Sequence, residues 1–234
     1  MKLPESELPQ SLYAAAVRAW QQVEERASAE VWSALGVAFS AASAAQQLAR
    51  VLACSPFVAD LARRKPEMLL DLQRSGELQC TVDDTFYLTT LQQQLGAPNV
   101  ALAAVLRQFR QRHMLRIVWR DFTRLADTLE TVRDTSLLAE ACIQESLRVL
   151  TAELEARYGV PRGRESGKPQ QLIVLAMGKL GARELNVSSD IDLIFAYPEA
   201  GQTAGGEKSV SNEEFFTQVG RALISALDQL TPDG

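Results

Sequence analysis

The amino-acid sequence predicts an α+β protein in which a long all-helical region precedes a shorter segment of strand, turn, strand and helix. From about residue 5 to residue 157, apolar residues recur at helical spacing and chain breakers are few. After residue 170, two short apolar runs, QLIVLAM and DIDLIFAY, flank a glycine turn, a pattern typical of buried strands. A further helical pattern follows them.

The helical region, residues 1–157, divides at recognisable breakers. The run 38–53 is rich in strong helix formers, and Lys65-Pro66 ends the helical pattern that follows it. The segment 96–99 (GAPN) supplies another break. After that break, residues 100–129 are predicted to continue as one long helix.

Two arginines of this long helix, Arg116 and Arg120, fall in or beside its apolar stripe. A guanidinium on a buried face needs a carboxylate or a phosphate as its partner. We favour a structural ion pair, with Asp121 or with an acid on a neighbouring helix, over contact with a bound phosphate. His113, the only histidine, is interpreted as a residue of the core or its boundary.

The segment 158–170 has a different composition, with three glycines, two prolines and four charged residues in thirteen positions. It is predicted to be a linker between a helical domain, residues 1–157, and a partial second domain, residues 171–234. In that second domain, strands at 171–177 and 190–197 precede a polar loop and a helix. Two strands alone make a marginal sheet, so the domain is interpreted as incomplete.

The composition excludes several classes of protein. The formal charge of -5 gives no support for broad attraction to nucleic acid or to an anionic membrane. The three cysteines lack CxxC spacing and are interpreted as apolar residues in a reducing compartment. No run approaches the roughly 18 apolar residues of a membrane span, and the N-terminus lacks a signal-peptide pattern. We therefore expect a cytoplasmic protein that binds neither nucleic acid nor membrane.

The candidate chemistry centres on Asp190 and Asp192. Side chains at i and i+2 of a strand point to one face, so these two carboxylates are expected to converge. They would repel each other without a divalent cation, and hard oxygen ligands suit Mg²⁺ or Mn²⁺. Such a metal bridges phosphate oxygens and neutralises charge on a leaving group. The alternative is a solvated strand end with ordinary surface acids.

A glycine turn precedes this pair. Gly178 and Gly181 allow backbone amides to approach a phosphate closely, and Lys179 adds a cation. The alternative interpretation is a plain connection between two strands. Ser188 and Ser189 either hydrogen-bond a phosphate or simply begin the second strand.

An apolar strand, a glycine turn, a short spacer and an Asp-apolar-Asp motif, in this order, resemble the core of the DNA polymerase β-like nucleotidyltransferases. The run 177–195 (MGKLGARELNVSSDIDLIF) resembles, nearly residue for residue, the glutamine synthetase adenylyltransferase and adenylyl-removing enzyme family. The runs 53–58, 64–66 and 115–121 fit the helical region of that family's N-terminal half. The resemblance therefore spans most of the chain.

The resemblance implies an incomplete polymerase β-like nucleotidyltransferase domain at 171–234. The family's N-terminal half, which this chain resembles, removes AMP from a tyrosine of glutamine synthetase by phosphorolysis and releases ADP, whereas the C-terminal half attaches AMP from ATP. Asp190 and Asp192 match the catalytic metal ligands, and Gly178 and Lys179 match the phosphate turn. Lysine replaces the serine of many members of the wider superfamily. The implied ligands are Mg²⁺ or Mn²⁺, ADP or ATP, and phosphate, and the implied partners are glutamine synthetase and a PII signal protein.

One departure from the superfamily is a missing third carboxylate, which other members carry on a following strand. Asp228 lies on a helical pattern and Asp233 in a terminal turn, so neither is assigned this role. The chain is interpreted as a truncated fragment with weak or no activity alone. Three alternatives stay open: a docking or regulatory module for glutamine synthetase or PII, the ATP-dependent adenylyltransferase reaction, and a related nucleotidyltransferase acting on RNA or a small molecule.

Overall fold

The computed structural model describes residues 3, 4, 8–98 and 100–228, and it confirms the predicted α+β class. In this part of the chain, no helix is both long enough and apolar enough to cross a bilayer. The described residues form the following elements, in chain order: α1 (Gln10–Arg26), α2 (Ala29–Ala38), α3 (Ala42–Cys54), α4 (Pro56–Arg64), α5 (Pro66–Ser75), α6 (Phe86–Leu95), α7 (Leu102–Phe122), α8 (Thr128–Tyr158), β1 (Gly159–Gly163), β2 (Ile173–Ala176), α9 (Gly178–Gly181), β3 (Leu193–Ala196), β4 (Gly201–Gly205) and α10 (Asn212–Asp228).

The predicted stop at Lys65-Pro66 is a helix boundary. Pro66 occupies the first position of α5, where its missing N–H is not needed and its fixed φ suits the helix. Gly76 ends α5 with a φ of 77°, in the left-handed region. At the start of α4, Ser55 Oγ accepts a hydrogen bond of 3.2 Å from the Val58 amide and caps the helix. Local capping chemistry thus sets these boundaries.

The chain forms two compact units, of which the first comprises Met1–Asp83 and Gln111–Asp134. Its core contains a row of aromatic rings. The centroid of the Phe39 ring lies 6.4 Å from that of Trp20 and 5.8 Å from that of Trp119. Fully buried leucines surround these rings: Leu35, Leu48, Leu61, Leu69, Leu72 and Leu78. Burial of this apolar surface, at about 25 cal/mol per Å², is the main force that holds the unit together.

The single long helix predicted for residues 100–129 is wrong, because α7 ends at Phe122 and α8 begins at Thr128. Arg124 has a φ of 58°, in the left-handed region, and turns the backbone away from the helix axis. The Asp127 carboxylate then accepts a hydrogen bond of 2.8 Å from the Glu130 amide and caps the new helix. A cap and one left-handed residue therefore outweigh a continuous apolar pattern.

The segment 158–170, predicted as a linker, contains a paired strand. β1 pairs antiparallel with β4, which lies in the segment predicted as a polar loop. The two backbones approach so closely at Gly201 that a Cβ atom there would lie 1.8 Å from the carbonyl oxygen of Arg162. Glycine is therefore required at this crossing. Whether this segment is a domain boundary stays a prediction.

The second unit comprises Asp84–Arg110 and Thr135–Gly234, and it contains both predicted strands of the candidate site. β2 and β3 pair antiparallel, with Val174 opposite Phe195. The side chains of one face of this two-stranded sheet pack against apolar residues of α8 and α10. The other face, which carries the Leu175 side chain, is exposed. The two helices α8 and α10 therefore support the sheet, and the sheet in turn holds the loops at its ends.

One carboxylate, Glu199, organises the turn after β1. It accepts hydrogen bonds from the backbone amides of Glu165 and Ser166, and a hydrogen bond of 2.6 Å from the Ser166 hydroxyl. The Ser166 hydroxyl and these amides lower the pKa of Glu199 below its ordinary value of 4.5. The turn is therefore more favourable when the carboxylate is ionised.

Glu199→Gln is expected to make the stability of this turn less dependent on pH. A depressed folded-state pKa contributes stability that is present above pH 4.5 and is lost as the pH falls through the lower folded value. The melting temperatures of wild type and variant should therefore differ at pH 6, and the difference should shrink as the pH falls below 4.5. Glu207→Gln, at another exposed position of this unit, is the control. A difference that stays constant between pH 6 and pH 3 would contradict this role of Glu199.

Candidate active site

The glycine turn after β2 is a single helical turn, α9, and two glycines make it possible. Gly178 has a φ of 57°, which disfavours residues with a Cβ atom. A Cβ atom at Gly181 would lie 2.5 Å from the Ala176 carbonyl oxygen. Between them, the buried Leu180 packs against α8 and α10 and fixes the turn to the helical base. Lys179 is left exposed on the outside of the turn.

The structure brings Lys179 together with Ser189, although ten residues separate them in the sequence. Lys179 Nζ donates a hydrogen bond of 3.2 Å to Ser189 Oγ. That hydroxyl donates to Asn186 Oδ1 over 2.5 Å, and the Ser189 amide donates to the Asn186 carbonyl over 3.1 Å. Ser188 is exposed beside this turn. A cation and a hydroxyl thus lie side by side at the surface, as a phosphate site requires.

The two aspartates lie immediately before β3 and not within it, because the strand begins at Leu193. Asp192 is nevertheless tied to the glycine turn, since its carbonyl accepts a hydrogen bond of 2.9 Å from the Met177 amide. Its Oδ2 lies 3.9 Å from the position that a Cβ atom of Gly178 would occupy. Asp190 is exposed two residues earlier. The structure therefore places the Asp192 carboxylate directly beside the start of the turn.

The donor set at this position fits a hard divalent cation. Asp190 and Asp192 offer only carboxylate oxygens, and both side chains are exposed to solvent. Among the described residues, no group of three or more His, Cys, Asp and Glu side chains is arranged to hold a metal. Mg²⁺ is commonly bound by one or two carboxylates together with substrate phosphates, so two exposed carboxylates suit it. Asp228 is exposed at the end of α10, and Asp233 lies outside the described residues.

Sequence reasoning missed two residues of α8 that anchor the loop carrying these groups. Glu140 accepts hydrogen bonds from both Nε (2.9 Å) and a terminal nitrogen (3.0 Å) of Arg183. Ser136 Oγ accepts a hydrogen bond of 3.1 Å from the Leu185 amide. Ser136 and Glu140 lie more than forty positions before the loop, and no local pattern links them to it. Only the tertiary structure reveals the pairing.

The two arginines considered as phosphate ligands belong to the first unit and make structural contacts there. Arg116 pairs with Asp134 at 2.8 Å, and Arg120 pairs with Glu130 at 2.7 Å. Their partners are therefore acids of α8 and not Asp121. Both guanidiniums also donate to backbone carbonyls of the segment between α5 and α6, those of Glu77, Leu78 and Cys80.

His113 is buried, in agreement with its interpretation as a core residue. Burial, together with the nearby Arg112 and Arg116, lowers its pKa to about 3. The ring is therefore neutral at physiological pH. It has no part in the candidate site, which belongs to the second unit.

The chain was compared with known proteins. Residues 45–234 match the family model of glutamate–ammonia ligase adenylyltransferase. The bifunctional glutamine synthetase adenylyltransferase/adenylyl-removing enzyme of Nitrosococcus oceani is 49% identical over 189 residues, which are 80% of this chain and 20% of that protein. The protein of the same name from Pseudomonas aeruginosa is 50% identical over 187 residues, or 79% of this chain and 19% of the relative.

The resemblance also extends over the whole chain. The bifunctional enzyme of Pseudomonas putida is 43% identical over 247 aligned residues, which cover 100% of this chain and 24% of the relative. The chain thus spans about a fifth of the length of the curated relatives it matches. The matched residues include both aspartates and the glycine turn. The chain therefore belongs to the glutamate–ammonia ligase adenylyltransferase family.

Proposed function

We propose that this chain forms part of an enzyme that removes AMP from adenylylated glutamine synthetase by phosphorolysis and releases ADP. The observation that carries the proposal is the placement of the Asp192 carboxylate beside Gly178, where Lys179 contacts Ser189. The relatives at 43–50% identity, whose names combine adenylyltransferase and adenylyl-removing activities on glutamine synthetase, support it.

The proposed reaction balances without an external oxidant or reductant. An oxygen of inorganic phosphate attacks the phosphorus of the AMP group, and the bond from that phosphorus to the tyrosine oxygen breaks. The tyrosine oxygen keeps the electron pair and takes the proton that the phosphate gives up, so the products are ADP and unmodified tyrosine. A Mg²⁺ or Mn²⁺ ion, when bound, would supply positive charge that offsets the negative charge of the reacting phosphates.

The residues of this chain have separate roles in that reaction. Asp190 and Asp192 would hold the metal, because both carboxylates are exposed and that of Asp192 lies beside Gly178. Lys179 would orient the incoming phosphate as a cation, and Ser189 would donate a hydrogen bond to it once its hydroxyl turns from Asn186 to the phosphate. Ser188, exposed beside them, offers a second hydroxyl. The chain alone is proposed to be weakly active, since two carboxylates hold a metal less firmly than three.

The direction of AMP transfer rests on the family resemblance. The same carboxylates would serve addition of AMP from ATP, so ATP-dependent adenylyl transfer is the alternative reaction. We propose glutamine synthetase as the protein substrate and a PII signal protein as a regulatory partner. A docking module without chemistry is the alternative of a different class, and metal-dependent nucleotide binding separates it from the enzyme.

Calorimetry of the 234-residue chain with Mn²⁺ and ADP tests the proposal. The wild type is expected to bind ADP only when Mn²⁺ is present, because a metal held by the two aspartates would supply the positive charge that the ADP phosphates need. Asp190→Asn and Asp192→Asn should each weaken this binding by at least about tenfold, since each removes a ligand charge. Glu153→Gln, at an exposed position of α8, is the control and should bind as the wild type does. A wild type without metal-dependent heat would instead indicate a docking role.

A further inference from the structure

We propose that Glu140 and Arg183 are positioning residues for this metal and phosphate site. Their ion pair holds the loop between α9 and β3 so that Asp192 stays beside Gly178 and Ser189 stays within reach of Lys179. The inference rests on the proposed function, because it concerns the same site. It assigns a role to two residues that do not themselves contact the metal or the phosphate.

The face of α8 that receives the loop is built from residues one helical turn apart. Ser136, Glu140 and Ile143 are spaced at i, i+4 and i+7, so they lie on one side of the helix. Ile143 belongs to the apolar cluster that buries Leu185, and Ser136 accepts from the Leu185 amide. Glu140 lies between these two contacts and binds Arg183. The helix therefore anchors the loop through an apolar contact, a hydrogen bond and an ion pair.

The backbone of Arg183 requires such an anchor. Its φ of 56° lies in the left-handed region, which residues with a Cβ atom rarely adopt unless their surroundings hold them there. Its amide donates to the Leu180 carbonyl over 3.0 Å, and the next amide, that of Glu184, donates to the Lys179 carbonyl over 2.8 Å. These bonds fold the chain back onto the glycine turn. The hydrogen bonds from Arg183 to Glu140 also raise the pKa of the arginine above its ordinary value.

The contacts continue from this anchor to the aspartates. Beyond Leu185, the turn at Asn186 receives both the amide and the hydroxyl of Ser189. Ser189 then accepts from Lys179, and Asp192 accepts from the Met177 amide. Each end of the loop is thus tied to α9 or to the residue before it. Loss of the Glu140 contact would release the left-handed backbone at Arg183, on which the positions of Ser189 and Asp192 depend.

An exposed ion pair is a weak source of stability, which allows the positioning role to be tested separately. The Arg183 side chain is 59% exposed, and exposed pairs of this kind contribute little to folding. A purely structural role would therefore change little besides a small shift in melting temperature. A positioning role would change the affinity for metal while the fold remains intact.

The test is a Mn²⁺ titration of the 234-residue chain, followed by electron paramagnetic resonance, with Glu140→Gln and Arg183→Gly. Glycine keeps the left-handed backbone accessible and removes the side chain that pairs with Glu140, whereas Glu140→Gln removes the charge of the pair and leaves the backbone of the loop unchanged. Both variants are expected to raise the dissociation constant for Mn²⁺ about tenfold, with the melting temperature within about 4 °C of the wild type. Arg183→Lys, which keeps the charge, should lose less affinity. Hydrogen exchange of the 183–192 peptide should become faster in both variants.

Arg148→Ala is the matched control. Arg148 is 58% exposed and also binds a glutamate of α8, Glu145, which accepts a second hydrogen bond from Gln92 of α6. The Mn²⁺ affinity of the Arg148→Ala variant should equal that of the wild type. If Glu140→Gln and Arg183→Gly also bind Mn²⁺ as the wild type does, while Asp192→Asn does not, the positioning role is wrong and the proposed function stands. If Asp192→Asn retains full Mn²⁺ affinity, the proposed function itself is wrong.

Discussion

Asp134→Ala is expected to lower the free energy of unfolding by about 3–5 kcal/mol, because it leaves a buried cation without its counter-ion. The Arg116 side chain is 0% exposed and that of Asp134 is 2% exposed, with 2.8 Å between their nearest nitrogen and oxygen. Water cannot reach the guanidinium to replace the lost carboxylate. Urea unfolding followed by circular dichroism measures the change, provided that the slope with denaturant stays constant.

The matched control for this effect is Arg133→Ala. Arg133 binds the same carboxylate over 2.8 Å, but its side chain is 39% exposed, so its loss should cost no more than about 1 kcal/mol. A double replacement of Arg116 and Asp134 by apolar residues should restore only part of the stability. The carbonyls of Glu77 and Cys80 would still lack the donor that Arg116 provides. If Asp134→Ala and Arg133→Ala cost the same, the buried pair does not hold this unit together.

The helical part of the fold could be predicted where the sequence carries local signals. The stop predicted at Lys65-Pro66 is confirmed, because Pro66 occupies the first position of α5. The break between α7 and α8 was missed because the apolar pattern runs through it. The break is caused by an arginine in the left-handed region and by the aspartate cap at Asp127. These residues give a weaker signal in the sequence than a proline or a glycine would.

Two of the four strands could be predicted from the sequence and two could not. β2 and β3 are apolar runs and were expected, because burial of one face leaves a pattern in the sequence. β1 and β4 are held by backbone hydrogen bonds and by close approaches at glycines, and they lack an alternation of apolar and polar residues. Such a pair has no side-chain signal along the sequence. The pairing partner, about forty residues away, decides the structure.

The candidate site was located by residue types and spacing, but its geometry depends on tertiary contacts. The expectation that Asp190 and Asp192 lie on a strand was wrong in detail, since β3 begins after them. The contact of Lys179 with Ser189 joins two groups that the sequence had indicated separately. Glu140, on a helix that carries no catalytic signature, was not expected at all, because its role depends on where α8 lies relative to the loop.

Loss of either carboxylate is expected to have the largest effect on activity. A metal held by Asp190 and Asp192 would contribute several kcal/mol of charge stabilisation to the transition state, and each 1.4 kcal/mol corresponds to about tenfold in rate. Asparagine preserves the shape of each side chain and removes its charge. Because both aspartates are exposed, neither substitution should affect folding. At these two positions, a substitution should therefore lower the activity without lowering the melting temperature.

The most direct measurement is phosphate-dependent release of ADP from adenylylated glutamine synthetase. It should use a protein of the relatives' length that contains this chain, in wild-type form and as Asp190→Asn and Asp192→Asn. We expect ADP as the product of the wild type, a rate about a thousandfold lower in both variants, and unchanged melting temperatures. Undiminished phosphorolysis in the two variants, or release of AMP in place of ADP by the wild type, would contradict the account.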